Sequence, residues 1–128
     1  MPEKKPYEYA VIRVVPRVER EEFLNVGVVL FASGKKFLQA KFHLDKKRLR
    51  MLYSDVNIPV IQQSLESFER ICIGGAEAGP IGSFSAAERF RWLSATRSTV
   101  LQMSKVHTGL TTDPALTLNE LYEQLVLR

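Results

Sequence analysis

Two groups of polar residues in this chain have types and spacing suited to recognising an anion. The first is Arg13, Glu22, Asn25 and Gly27, within the stretch "RVVPRVEREEFLNVG". Arg13 offers a fork of N–H donors that matches a carboxylate or phosphate. Asn25 carries both a donor and an acceptor, and Gly27 leaves room for a ligand or a second backbone to approach. The second group comes late: Arg97 and Ser98, then Gln102 and Ser104, then His107, Thr108 and Gly109. Its arginine, hydroxyls and glycine turn could hold a phosphate, with His107 as a general base. Every one of these residues also has a structural use. Asparagine closes turns on its own backbone, glycine inside a strand marks a bulge, and Arg13 could pair with Glu19 or Glu22. His107 has no visible nucleophile or carboxylate partner, so the pattern falls short of a catalytic one.

A third cluster, "KKRLR", contributes Lys46, Lys47, Arg48 and Arg50. Such a run can meet nucleic-acid phosphates, and it can equally be a solvated helix face. Walker-type, dinucleotide-binding and zinc-protease motifs are absent from the sequence. Its one cysteine, Cys72, sits in an apolar helical pattern, and its two histidines lie far apart. That leaves no metal-ligand spacing, and neither a metal nor a cofactor is expected.

These residues must be positioned by a small set of elements. "YEYAVIRVV" (7–15) is aromatic and β-branched and stops at Pro16, so it reads as a strand. Residues 26–32 and 37–42, joined by "SGKK", read as a hairpin. The three strands would form an antiparallel meander. Strand alternation places Val26, Val28 and Leu30 with Leu38, Ala40 and Phe42 toward the helices, along with Ala10, Ile12 and Val14. Tyr9, Arg13, Asn25 and Gly27 then share the other face. Asp45 can cap a short helix, and Asn57 with Pro59 opens a longer one bearing Ile61, Leu65, Phe68 and Cys72. Ser85 and Glu88 have capping-box spacing, as do Thr117 and Glu120 at the last helix. The stretch 97–106 could supply a fourth strand, and "HTGLTTDP" reads as a loop. The expected class is α+β: a small antiparallel sheet of three to four strands with helices packed on one face.

With 128 residues, 45% hydrophobic and 25% charged, the chain suits one domain over 1–128, with 1–6 as a flexible lead. No run approaches a membrane span or a signal peptide, so a cytoplasmic location is expected. A net charge of +4 permits an acidic partner or nucleic acid without requiring either.

"YEYAVIRVVPRVEREEFLNVGVVLF" followed by "RSTVLQMSKVHTGLTTDP" resembles the bacterial domain-of-unknown-function family 3037. The likeness runs over essentially the whole chain. Asn25-Val26-Gly27-Val28 after Glu22 matches the family's most recognisable signature, and Arg97-Ser98 with His107-Thr108-Gly109 its second. Relatives often carry a glycine before this glutamate, where this chain has Glu21. The departure bears on turn geometry, not on membership. The family name implies no activity. It does imply a genomic context, beside a HipA-like kinase, and hence an accessory role with a protein partner. The competing expectation is an enzyme or a nucleotide- or nucleic-acid-binding protein, with a phosphate site around Arg13, Asn25 and Arg97.

Overall fold

The computed structural model describes residues 3–95 and 100–128. Strands β1 (Lys5–Val14), β2 (Leu24–Ala32) and β3 (Phe37–Phe42) follow one another antiparallel, as the pattern of apolar runs and turns predicts. The turn between β2 and β3 closes on Lys36 at φ +52°, whose N–H donates to the Ser33 carbonyl at 3.1 Å. Gly34 inside the turn is not the left-handed residue.

Helices α1 (Lys46–Leu52), α2 (Ile58–Ile73) and α3 (Ala86–Ser94) start where capping residues put them. Asp45 accepts from the Arg48 N–H, Asn57 from the Val60 N–H, and Ser85 and Glu88 form a reciprocal box. The Arg89 guanidinium donates to the Ile71 and Cys72 carbonyls and so closes the C-terminal end of α2. Helix α4 (Pro114–Tyr122) begins one turn earlier than the Thr117 box implies. Asp113 caps it, accepting from the Leu116 N–H at 3.2 Å with Pro114 next in line. The helix then widens into a π turn over Glu123–Leu127.

The class is α+β with an antiparallel sheet, and three details differ from expectation. First, the sheet has five strands: β4 (Leu101–Met103) pairs with the end of β1, and β5 (His107–Thr111) with its beginning. The stretch expected as a loop is therefore a strand. Its polar composition fits an edge position, where most side chains stay wet. Strand β1 starts at Lys5, and both Lys5 and Pro6 are paired with β5.

Second, helices lie on both faces. Leu49, Leu65, Phe68, Phe90 and Leu93 from α1–α3 cover Ala10, Ile12, Val14, Val29 and Phe31. Leu118, Tyr122 and Val126 cover Val28, Leu30 and Ala32 on the reverse.

Third, the hairpin register is one residue off the expected one. Val28 opposes Lys41 and Leu30 opposes Gln39, while Val29 and Phe31 oppose Ala40 and Leu38. The turn sets that register by pairing Ala32 with Phe37. A bulge against β1 adds a second change: Ile12 pairs with Gly27 and Arg13 with Asn25, so Val26 is an extra residue that resets the alternation at the start of β2. Val26 joins the core beneath α2, and Asn25 turns to the opposite face, toward the π turn.

Candidate anion-binding cleft

The bulge brings Arg13 and Asn25 directly opposite each other on the α4 side of the sheet. Asn25 Nδ2 donates to the Leu125 carbonyl at 3.2 Å. That carbonyl lies in the last turn of the chain's final helix, where carbonyls lack intrahelical partners. Asn25 Oδ1 and Arg13 Nε are both buried, and neither has a hydrogen-bond partner among the described residues. One is an acceptor and one a donor, and leaving each unmade costs about 1–3 kcal/mol. The Arg13 guanidinium carbon sits 4.2 Å from the centroid of the Phe23 ring, a cation–π stack on a side chain that is 47% exposed.

A cleft of about 190 Å³ opens beside this pair. Phe23, Leu24, Asn25, Leu125 and Val126 line it, together with Arg48 from α1 and Arg128. The site thus joins two groups that the sequence left separate, the Asn25 signature and one member of the basic run. Lys46, Lys47 and Arg50 are exposed on the same short helix, which is anchored by buried Leu49. No described carboxylate lies within ion-pair distance of Arg13, Arg48 or Arg128. Guanidinium groups without side-chain carboxylates beside a half-buried amide have the donor chemistry to receive a two-oxygen anion.

The other expected site residues are placed elsewhere. Glu22 pairs with Arg20 at 2.5 Å, and Glu19 pairs with Arg17 at 2.7 Å, so neither serves Arg13. Gly27 is buried on the opposite face. A Cβ there would stand 2.7 Å from the Lys41 carbonyl oxygen and from Phe42 Cβ, so the close approach it permits is to β3. His107 is exposed and stacks on Tyr9 at 5.2 Å. Tyr9 lies four residues from Arg13, which is about 13 Å along a strand. Gly109 carries the Tyr7 ring over it, 2.6 Å from where a Cβ would stand. Ser104 is buried and structural: its hydroxyl accepts from the Val11 N–H and donates to the Lys105 carbonyl. Arg97 and Ser98 lie outside the described residues.

Sequence reasoning missed Phe23, Leu125 and Arg128. Phe23 had a visible signal, an aromatic between the glutamates and Asn25. The other two arrive only through the packing of the last helix. Cys72 is set apart from this chemistry, since burial pushes its thiol up to about 12 and keeps it protonated at neutral pH. Among the described residues no group of three or more His, Cys, Asp or Glu could hold a metal ion, and no helix is long and apolar enough to cross a membrane.

The molecule is therefore an α+β domain, an antiparallel sheet between two unequal helical layers with a basic cleft at one end. The chain belongs to the family described as protein of unknown function (DUF3037), whose model matches residues 9–126. The resemblance read from the two sequence blocks is thus established over nearly the whole chain. No curated protein and no solved structure matches it.

Proposed function

We propose that this chain is a cytoplasmic binding module that engages an acidic segment of a protein partner through the Asn25 cleft. The observation that carries the reading is that Arg48 and Arg128 line the cleft with Asn25, and Arg13 faces Asn25 across the strands, with no side-chain carboxylate of the described residues in ion-pair distance of the three. The cleft is small, about 190 Å³, with the exposed ring of Phe23 along it, which suits a side chain or chain segment. The isolation of His107 and the protonated state of Cys72 give no support to nucleophilic or acid–base turnover. Family resemblance offers a HipA-like kinase as the first partner to try.

A second reading has one observation in its favour: Arg48 extends the cleft toward Lys46, Lys47 and Arg50, all exposed. A phosphate backbone could follow that path, with strongly salt-dependent affinity. The enzyme reading that joins Arg97 to Arg13 and Asn25 depends on a residue outside the described ones.

The test is affinity capture of the tagged chain from its host, with nuclease, alongside the double variant Arg48→Glu/Arg128→Glu. Both residues are exposed, so the variant should fold with the parent's thermal midpoint. The expected result is a stoichiometric partner that survives nuclease and is lost with the variant. Undiminished capture by the variant would remove the cleft from the function. Bound material that nuclease releases would move the reading to nucleic acid.

A further inference from the structure

Among the described residues, the outer edge of β5 presents an unguarded row of backbone groups. Which groups face outward follows from the pairing. Ser104 N–H donates to the Val11 carbonyl at 2.9 Å, and Val15 N–H to the Val100 carbonyl at 2.7 Å. Odd-numbered residues of β1 thus turn their N–H and C=O toward the β4 and β5 side. Pro6, which has no N–H, stands opposite Leu110, as a pair that exchanges no bonds can. Tyr7 with Gly109 and Tyr9 with His107 are then the bonded pairs. The N–H and C=O of Thr108 and Leu110 point away from the sheet. Among the described residues no strand lies beyond β5, and nothing there bonds these groups.

The two sheet edges differ in how they are protected. Strand β3 carries Lys41 and is preceded by Lys35 and Lys36, and lysines on an edge discourage a further strand. Strand β5, "HTGLT", has no lysine, arginine, acid or proline, and Leu110 is 65% exposed beside it. The Tyr7 ring packs over Gly109 and leaves no room for a side chain there.

We propose that this edge pairs with β5 of a second copy of the chain, antiparallel about a two-fold axis at Gly109. Of the registers open to two such strands, only this one overlaps all of His107–Thr111. It sets Thr108 opposite Leu110 of the second copy, so the outward groups meet as a bonded pair. The exposed leucines become diagonal neighbours on one face, within reach of each other. Just beyond the strand the same register sets Lys105 opposite Asp113 of the second copy, and by symmetry the reverse. Both residues are exposed, and Asp113 uses one carboxylate oxygen for its helix cap. No like charges oppose each other. Self-complementarity of this kind is what a two-fold interface requires, and it selects a second copy over an unrelated strand. The two sheets become one continuous sheet of ten strands, five from each copy.

The test is sedimentation velocity of the full chain over a wide concentration range, with the variants Leu110→Lys, Thr108→Pro and Lys105→Glu. Thr108→Pro removes only an outward N–H, which an edge strand tolerates. The parent should populate a dimer of twice 14.6 kDa. Leu110→Lys and Thr108→Pro should raise the dimer dissociation constant roughly tenfold or more, and Lys105→Glu several-fold. Lys105→Glu also covers the case in which either strand variant fails to fold, because it changes one exposed side chain outside β5. A parent that stays monomeric at every concentration overturns the proposal. So does a dimer unchanged in the folded variants, or one that binds only other proteins by this edge.

Discussion

The two faces of the sheet are built from similar strands and finished differently. Beneath α2 and α3 the core is apolar: Ile12, Leu65 and Phe90 are buried, with Phe31 and Phe90 stacked at 5.5 Å. Beneath α4 the apolar cover consists of Leu118, Tyr122 and Val126, and the face continues past them to Arg13 and Asn25. Helix α2 has sixteen residues and α4 nine before its π turn. Where the shorter helix ends, the Leu125 carbonyl of its last turn meets the bulged start of β2 and accepts from Asn25, so polar groups fill the gap. One face therefore carries the stability. The other gives up part of its core to the polar pair Arg13 and Asn25, on which the proposed cleft depends.

The sharpest way to break this comparison is to truncate one residue on each face. Phe90→Ala should lose about 3–5 kcal/mol, the usual cost of deleting a buried aromatic. Asn25→Ala removes one 3.2 Å hydrogen bond but also an orphaned acceptor, so it should stay within about 1 kcal/mol of the parent. Urea unfolding of both variants measures the difference. Comparable losses would make Asn25 a structural residue and leave the cleft without its central group.

Gly27→Ala should fall between these, at about 1–3 kcal/mol, because the new methyl meets the Lys41 backbone and Phe42 Cβ rather than a side chain that can swing aside. The same variant should leave partner capture unchanged once folded, since Gly27 faces away from the cleft. Loss of capture at full stability would return Gly27 to the site.

The sequence made legible what is local. The caps at Asp45, Asn57 and Ser85–Glu88 each depend on three or four consecutive residues, and the buried stripe of α2 repeats at helical spacing. The bulge at Val26 was not legible as a shift of register, because an extra residue shows itself only against a partner strand. Strand β5 was hidden for a related reason: "HTGLT" has little strand propensity of its own and is held by Tyr7, Tyr9 and their neighbours on β1. For the site, Arg13 and Asn25 were readable as a pair on one face. Their joining with Arg48 and Arg128 was not, since it needs α1 and the last turn of the chain to arrive at the same end of the sheet.

The smallest effect concerns the turn that leads into the site. Glu21 adopts φ +58°, ψ 14°, a left-handed conformation, with its N–H donating to the Val18 carbonyl at 3.2 Å. An L-residue pays a steric penalty there that glycine does not. A backbone of this kind suits glycine, the residue that the family resemblance leads one to expect here. Glu21 is exposed and makes no ion pair among the described residues, so nothing offsets the strain. Glu21→Gly should therefore raise stability by roughly 0.5–1 kcal/mol, the left-handed relief outweighing the added freedom of the unfolded chain. Lys36→Gly, at φ +52° on the hairpin that both faces share, provides the control and should gain a similar amount. A gain at Lys36 without one at Glu21 would mean that the glutamate contributes something in this turn beyond its backbone. The turn that delivers Phe23 and Asn25 would then belong to the site rather than to the scaffold.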